Sequence, residues 1–164
     1  MPIEISFRYL TLFQGKYMKL ENTLVIVADL GELKAYNVKH HEAIIGNEVK
    51  ISHSLELIND ENFIEGRKQI SESYSDNAGQ WGHDTVENHD LKTEIENRTL
   101  REIAQDIENI VKAVKPKQLF LAFPKEHNKE LTNELGSQTK TVLAKNIASD
   151  LVKTDKQKIL SHFE

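Results

Sequence analysis

Residues 24–28, Leu-Val-Ile-Val-Ala, form a continuous apolar run that is rich in β-branched side chains and too short for a helix. Such a run specifies a strand buried on both faces, and that in turn requires structure packed on each side of a sheet. Asp29-Leu30-Gly31-Glu32 follows with turn chemistry, Gly31 being free to take a positive φ. Leu33, Ala35 and Asn37 then alternate with Lys34, Tyr36 and Val38. That period of two predicts a second strand folded back on the first. A hairpin opens the core, and its turn carries the acidic Asp29 at the end of a buried strand.

The rest of the chain alternates in kind. Residues 40–47 read as a connector, and residues 49–58 resume the strand period, with Val49, Ile51, His53, Leu55 and Leu57 on one face and a wet face behind them. His53 lies in that apolar register and reads as a core or edge histidine. Residues 59–90 are polar and interrupted by Gly66, Gly79 and Gly82; they read as a long loop in which Trp81 is either an anchor or an exposed contact. Residues 91–114 carry Leu91, Ile95, Leu100, Ile103, Ala104, Ile107, Ile110, Val111 and Val114 at spacings of three and four. This predicts a long amphipathic helix with Asp90 as N-cap and Pro116 as its stop. A short buried strand is expected over residues 118–123, and a helix from Pro124 to a C′ glycine at Gly136. A strand over 142–147 and a final helix over 155–163, capped by Thr154, complete the pattern. Strands followed by helix–strand–helix–strand–helix make a mixed α/β sheet with antiparallel and parallel parts. Residues 1–17 read as an N-terminal extension, and residues 18–164 as a single domain.

Composition narrows the chemistry. The chain has 164 residues and no cysteine, which removes thiolate nucleophiles, disulfides and Cys-bound metals, and which fits a reducing cytoplasm. No apolar run approaches the ~20 residues that cross a bilayer, and the first residues lack the form of a signal peptide, so neither membrane insertion nor secretion is expected. The net charge of −5 is unevenly spread. Residues 1–111 hold 11 Lys and Arg against 20 Asp and Glu, a net of −9; residues 112–164 hold 10 against 6, a net of +4. The basic third can face phosphate groups or stand as solvated helix surface. Lys112, Lys115, Lys117, Lys125 and Lys129 are its candidate binding residues.

The order of the segments resembles a known family. Val27-Ala28-Asp29 leads through Gly31 to Lys34-Ala35-Tyr36; a strand ends in Ala122-Phe123-Pro124 before a leucine-bearing helix; Asp150-Leu151 precedes Thr154 and a terminal helix. Over about residues 20–164 this resembles the bacterial host-attachment family, "protein required for attachment to host cells". The resemblance implies kinship with the central domain of archaeal and eukaryotic translation release factors, and with it a ribonuclease-H-like fold. It also implies that the loop before the long helix stands where the release factors carry Gly-Gly-Gln. This chain has Ala78-Gly79-Gln80 there. Adjacent glycines let the backbone approach the scissile ester and a glutamine helps to position water, whereas Ala78 narrows that approach. Asp76, Asp84 and Glu87 also stand where basic residues would meet RNA. The expectation is a degenerate relic of the motif.

Other catalytic patterns are sparse. Asp29 occupies the place of a first metal-binding carboxylate in ribonuclease-H-like nucleases, with Glu56 and Asp150 as partners that no spacing singles out. The competing reading makes Asp29 a turn former. His40-His41 and the His83/His89 pair lack helical zinc spacing, although a loop could gather His83, Asp84 and His89. Ser71, Ser73 and Ser75 read as loop serines. No glycine-rich phosphate loop, dinucleotide fingerprint or nucleophile elbow occurs. The sequence therefore reads as a cytoplasmic, cofactor-free and metal-free binding protein rather than an enzyme. By resemblance its partner is the ribosome or structured RNA; the alternatives are adhesion through a protein partner and, behind it, peptidyl-tRNA hydrolysis or metal-dependent nuclease activity through Gly79, Gln80 or Asp29. The oligomeric state is left open.

Overall fold

The computed structural model describes residues 20–62 and 85–164. Among them, five strands form one sheet: β1 (Thr23–Ala28), β2 (Glu32–Ile45), β3 (Glu48–Asn62), β4 (Gln118–Phe123) and β5 (Leu143–Ala148). The spatial order is β3-β2-β1-β4-β5. β1–β2 and β2–β3 pair antiparallel, β1–β4 and β4–β5 parallel. The helices are α1 (Thr85–Val114), α2 (Asn128–Glu134), α3 (Ser137–Val142) and α4 (Lys156–Ile159), which runs into a 3-10 turn (Leu160–Phe163). The mixed α/β sheet read from the sequence is the observed architecture.

β1 lies in the middle of the sheet, and this explains its unbroken apolar sequence. On one face Leu24, Ile26 and Ala28, with Leu33, Ala35, Leu119, Leu121 and Phe123, pack beneath Ile103, Ile107 and Ile110 of α1 and Leu131 of α2. On the other face Val25, Val27, Tyr36, Phe120 and Ala122 are covered by Leu151, Ile159 and Phe163 from the C-terminal segment. Each fully buried Val, Leu or Ile side chain here contributes roughly 1.5–3 kcal/mol relative to exposure. Two lysines add polar ties to that second face. Lys145 Nζ donates to the Phe163 carbonyl, and Lys34 Nζ reaches the Val152 carbonyl at 3.4 Å.

Several boundaries differ from the sequence reading. β2 does not stop at Val38 but continues through residues 40–45, so the expected connector is strand, turning at Gly46 with φ 65°. α1 begins at Thr85, which places Asp90 inside the helix rather than at its cap, and Leu91 lies short of the buried stripe. Its C-terminal end is closed by Lys115 at φ 51°, whose N–H donates to the Val111 carbonyl at 2.8 Å. α2 starts at Asn128 after a turn over residues 124–127. Gly136 is extended (φ −70°, ψ 164°) and opens the unforeseen α3 instead of closing α2 in the left-handed region. The cap of α4 is Asp155, whose carboxylate accepts the Gln157 N–H at 3.0 Å, in place of Thr154. The proposed extension over residues 1–17 lies outside the described residues.

Candidate functional site

The β2–β3 hairpin outgrows the body. Val38 and Leu55 are its last residues packed against the core, and residues 39–54 continue beyond them as a two-stranded arm. At ~3.3 Å per residue, the six steps from Val38 to Ile44 carry the tip about 20 Å past that contact. Cross-strand register fixes the faces. Leu55 stands opposite Val38, His53 opposite His40, Ile51 opposite Glu42 and Val49 opposite Ile44. Val49, Ile51, His53, Leu55 and Leu57 do share one face, as their alternation predicts. Of these, Leu55 alone is buried, in the cluster that holds Leu151, Ile159 and Phe163 of the C-terminal segment. Ile44 is 79% exposed, Ile45 63%, Val49 56% and Ile51 40%. A run of large apolar side chains at the end of a projecting ribbon is the form of a contact surface.

Polar side chains brace the arm. His40 Nδ1 lies 3.3 Å from His53 Nε2 with the rings edge to face, and His40 Nε2 lies 3.1 Å from Glu42 Oε1. His41 Nε2 is 2.6 Å from Ser54 Oγ on the opposite face. Partial burial lowers the pKa of His53, and positive charge on His40 and His41 lowers it further, against a weaker opposing pull from Glu164. His53 is thus the edge-strand histidine that its register implies.

The five candidate lysines are all exposed but do not form one patch. Lys112 is in the last turn of α1, and Lys115 and Lys117 lead into the start of β4. Lys125 and Lys129 follow the other end of β4, a full strand away. The register sets Thr23 beside Gln118 and Leu24 beside Asn37, so Lys115 and Lys117 lie at the end of the sheet from which the arm projects. Lys125 and Lys129 share the opposite end with Asp29 and Asp150.

Asp29 closes the β1–β2 turn. Its Oδ1 accepts the N–H groups of Gly31 at 2.7 Å and Glu32 at 2.8 Å, and its own N–H donates to the Glu32 carbonyl at 2.9 Å. Gly31 is not in the positive-φ region; the carboxylate shapes the turn instead. Glu56 pairs with Lys39 at 3.0 Å, and Asp150 Oδ1 accepts the Val152 N–H at 3.1 Å. Among the described residues, no three His, Asp or Glu side chains gather as a cation site. His89 is exposed within α1 rather than in a loop. Gly79, Gln80, Trp81, His83, Asp84 and the three loop serines lie outside the described residues.

Two features were hidden in the sequence. Ile44 and Ile45 fall in the stretch taken for a connector; their β-branched side chains were the available signal. Asp106 on α1 meets Glu61 of β3, and its pKa is raised to about 6, first by burial, then by a hydrogen bond to Glu61 and the charges of Glu61 and Glu102. Helical spacing alone does not reveal that a distant strand brings a second carboxylate.

The family model described as "Protein required for attachment to host cells" matches residues 24–163, from the first buried strand to Phe163. The chain belongs to this host-attachment family. The match takes in both layers over the sheet and the whole arm. No curated protein matches the chain. Among the described residues of this family member, no helix is long and apolar enough to cross a membrane.

Proposed function

We propose that this host-attachment family member is a non-catalytic binding module that supports attachment by holding a protein partner on the β2–β3 arm. The carrying observation is the exposed apolar set Ile44, Ile45, Val49 and Ile51 beyond the packed body. Lys112, Lys115 and Lys117 stand at the end of the sheet from which the arm leaves, so the complementary partner is an apolar strip with acidic residues beside it. The test is attachment of cells carrying Ile44→Ser with Val49→Ser, alongside thermal unfolding of the purified variant. The expected result is loss of attachment with little change in unfolding temperature, because these side chains contribute little to the core. Normal attachment by the folded variant would overturn the reading.

A second reading, association with the ribosome or structured RNA, draws on the release-factor resemblance and on the same basic end. It predicts cosedimentation with ribosomes that falls steeply with salt and is lost on reversing Lys112, Lys115 and Lys117. Reversing Lys125 and Lys129, at the far end of the sheet, is the control.

A further inference from the structure

Building on the reading of the arm as a contact surface, we propose that the outer edge of β3 pairs antiparallel with the same edge of a second copy, in a register centred on His53. Among the described residues, β3 is an edge strand of 15 residues. Its regular part, residues 48–57, lies between the turn at Gly46 and the register shift opposite Ala35 and Tyr36. No proline interrupts it, and its outward backbone groups form a ready template for another strand.

The side chains choose the register. A two-fold antiparallel pairing that keeps like faces together must be centred on a residue. Centred on His53, it sets Val49 opposite Leu57 and Ile51 opposite Leu55, each twice, with the two His53 side chains facing at the axis. On the other face Lys50 stands opposite Glu56, again twice, and Ser52 opposite Ser54. Apolar meets apolar at 49/57 and 51/55, charge meets opposite charge at 50/56, and small polar serines meet at 52/54, a combination that stabilises cross-strand neighbours. Glu56, already 3.0 Å from Lys39, would then lie between two lysines. Neighbouring registers fail. Centring on Ser52 opposes Glu48 to Glu56; centring on Ser54 sets Lys50 against Ile58; centring on Leu55 opposes Ile51 to Asn59 and crosses the register shift. The midpoint of the regular stretch falls between Ser52 and His53, within half a residue of the centre of the complementary pattern.

The test uses the full chain in sedimentation velocity over a concentration series, with Lys50→Glu, Glu56→Lys and the double exchange. The expected result is a wild-type dimer, weakened about tenfold or more by either single reversal and recovered in the double exchange, since two charge pairs are involved. The cysteine-free background permits a direct check of register. His53→Cys should cross-link to its own copy under mild oxidation, because facing residues have Cα atoms within disulfide reach, whereas Ser52→Cys should not. A wild type that stays monomeric throughout, or a double exchange no better than the single reversals, would overturn the pairing. Monomeric wild type with attachment still lost in Ile44→Ser would refute the pairing and leave the arm's attachment role standing. A charge-dependent dimer with attachment intact in Ile44→Ser would do the reverse.

Discussion

Phe163, next to last in the chain, stacks on Phe120 of β4 with ring centroids 5.3 Å apart and 21° between the planes. Both rings are buried, and Lys145 reaches over Phe120 to the Phe163 carbonyl. The last turn is therefore the lid on one face of the sheet. Phe163→Ala opens a cavity directly over β4 and should cost about 3–4 kcal/mol, while Phe163→Leu, which keeps most of the volume, should cost under about 1.5 kcal/mol. Urea denaturation checks this through the shift in midpoint at constant slope.

Gly136 donates its N–H to the Glu108 carboxylate of α1, and a Cβ at position 136 would run into that same carboxylate. That carboxylate is the far end of a flexible side chain, and the φ of −70° suits any residue, so the hydrogen bond rather than the backbone marks this position. Gly136→Ala should cost about 1 kcal/mol or less, the weakened charge-assisted hydrogen bond being partly offset by the smaller freedom of alanine in the unfolded chain. The diagnostic is coupling. In a Glu108→Ala background the added cost of Gly136→Ala should shrink by at least about 0.5 kcal/mol, whereas independent sites would simply add.

How far the fold could be read follows from where the local signals agree with the tertiary demand. The run 24–28 is buried on both faces of the sheet and the stripe from Ile95 to Val114 on one face of a helix, and an unbroken apolar run and an apolar period each report that burial directly. The arm defeated the same logic because residues 40–45 are strand without being buried; backbone pairing to β3 holds them, and no apolar period marks it. Gly136 was legible as a special position but not for its reason, since Glu108 lies on another helix. The lysines were legible as a local charge excess, yet β4 separates Lys117 from Lys125 by its whole length. A one-dimensional count has no means to place them at opposite ends of a strand.

Lys115 adopts φ 51°, a conformation that costs a residue with a Cβ roughly 1–2 kcal/mol. It closes α1, where glycine is the usual occupant. Lys115→Gly should therefore raise stability by about 0.5–1 kcal/mol, part of the relief being offset by the freedom glycine has in the unfolded chain. Lys117→Gly, two residues on and free of positive φ, should give no such gain. Thermal unfolding of the two variants side by side decides it.

Asp106 gives the chain a carboxyl group that is harder to ionise when folded. Burial, the hydrogen bond to Glu61 and the charges of Glu61 and Glu102 raise its pKa from 3.8 to about 6. With the folded pKa above the unfolded one, the native state binds the proton more tightly between those values. Stability should rise as pH falls from about 7 towards 4, and be lost as pH rises through 6. Taken at face value, a shift of this size is worth about 3 kcal/mol at 1.36 kcal/mol per unit, but the group is only partly buried and solvent screening reduces it to about 1 kcal/mol. Asp106→Asn keeps the shape, removes the charge and should stabilise the protein by about that amount at pH 8 and by almost nothing at pH 4. Denaturation across this range checks the sign: an effect of Asp106→Asn that is the same at pH 4 and pH 8 would mean that Glu61, Glu102 and Asp106 stand apart in solution.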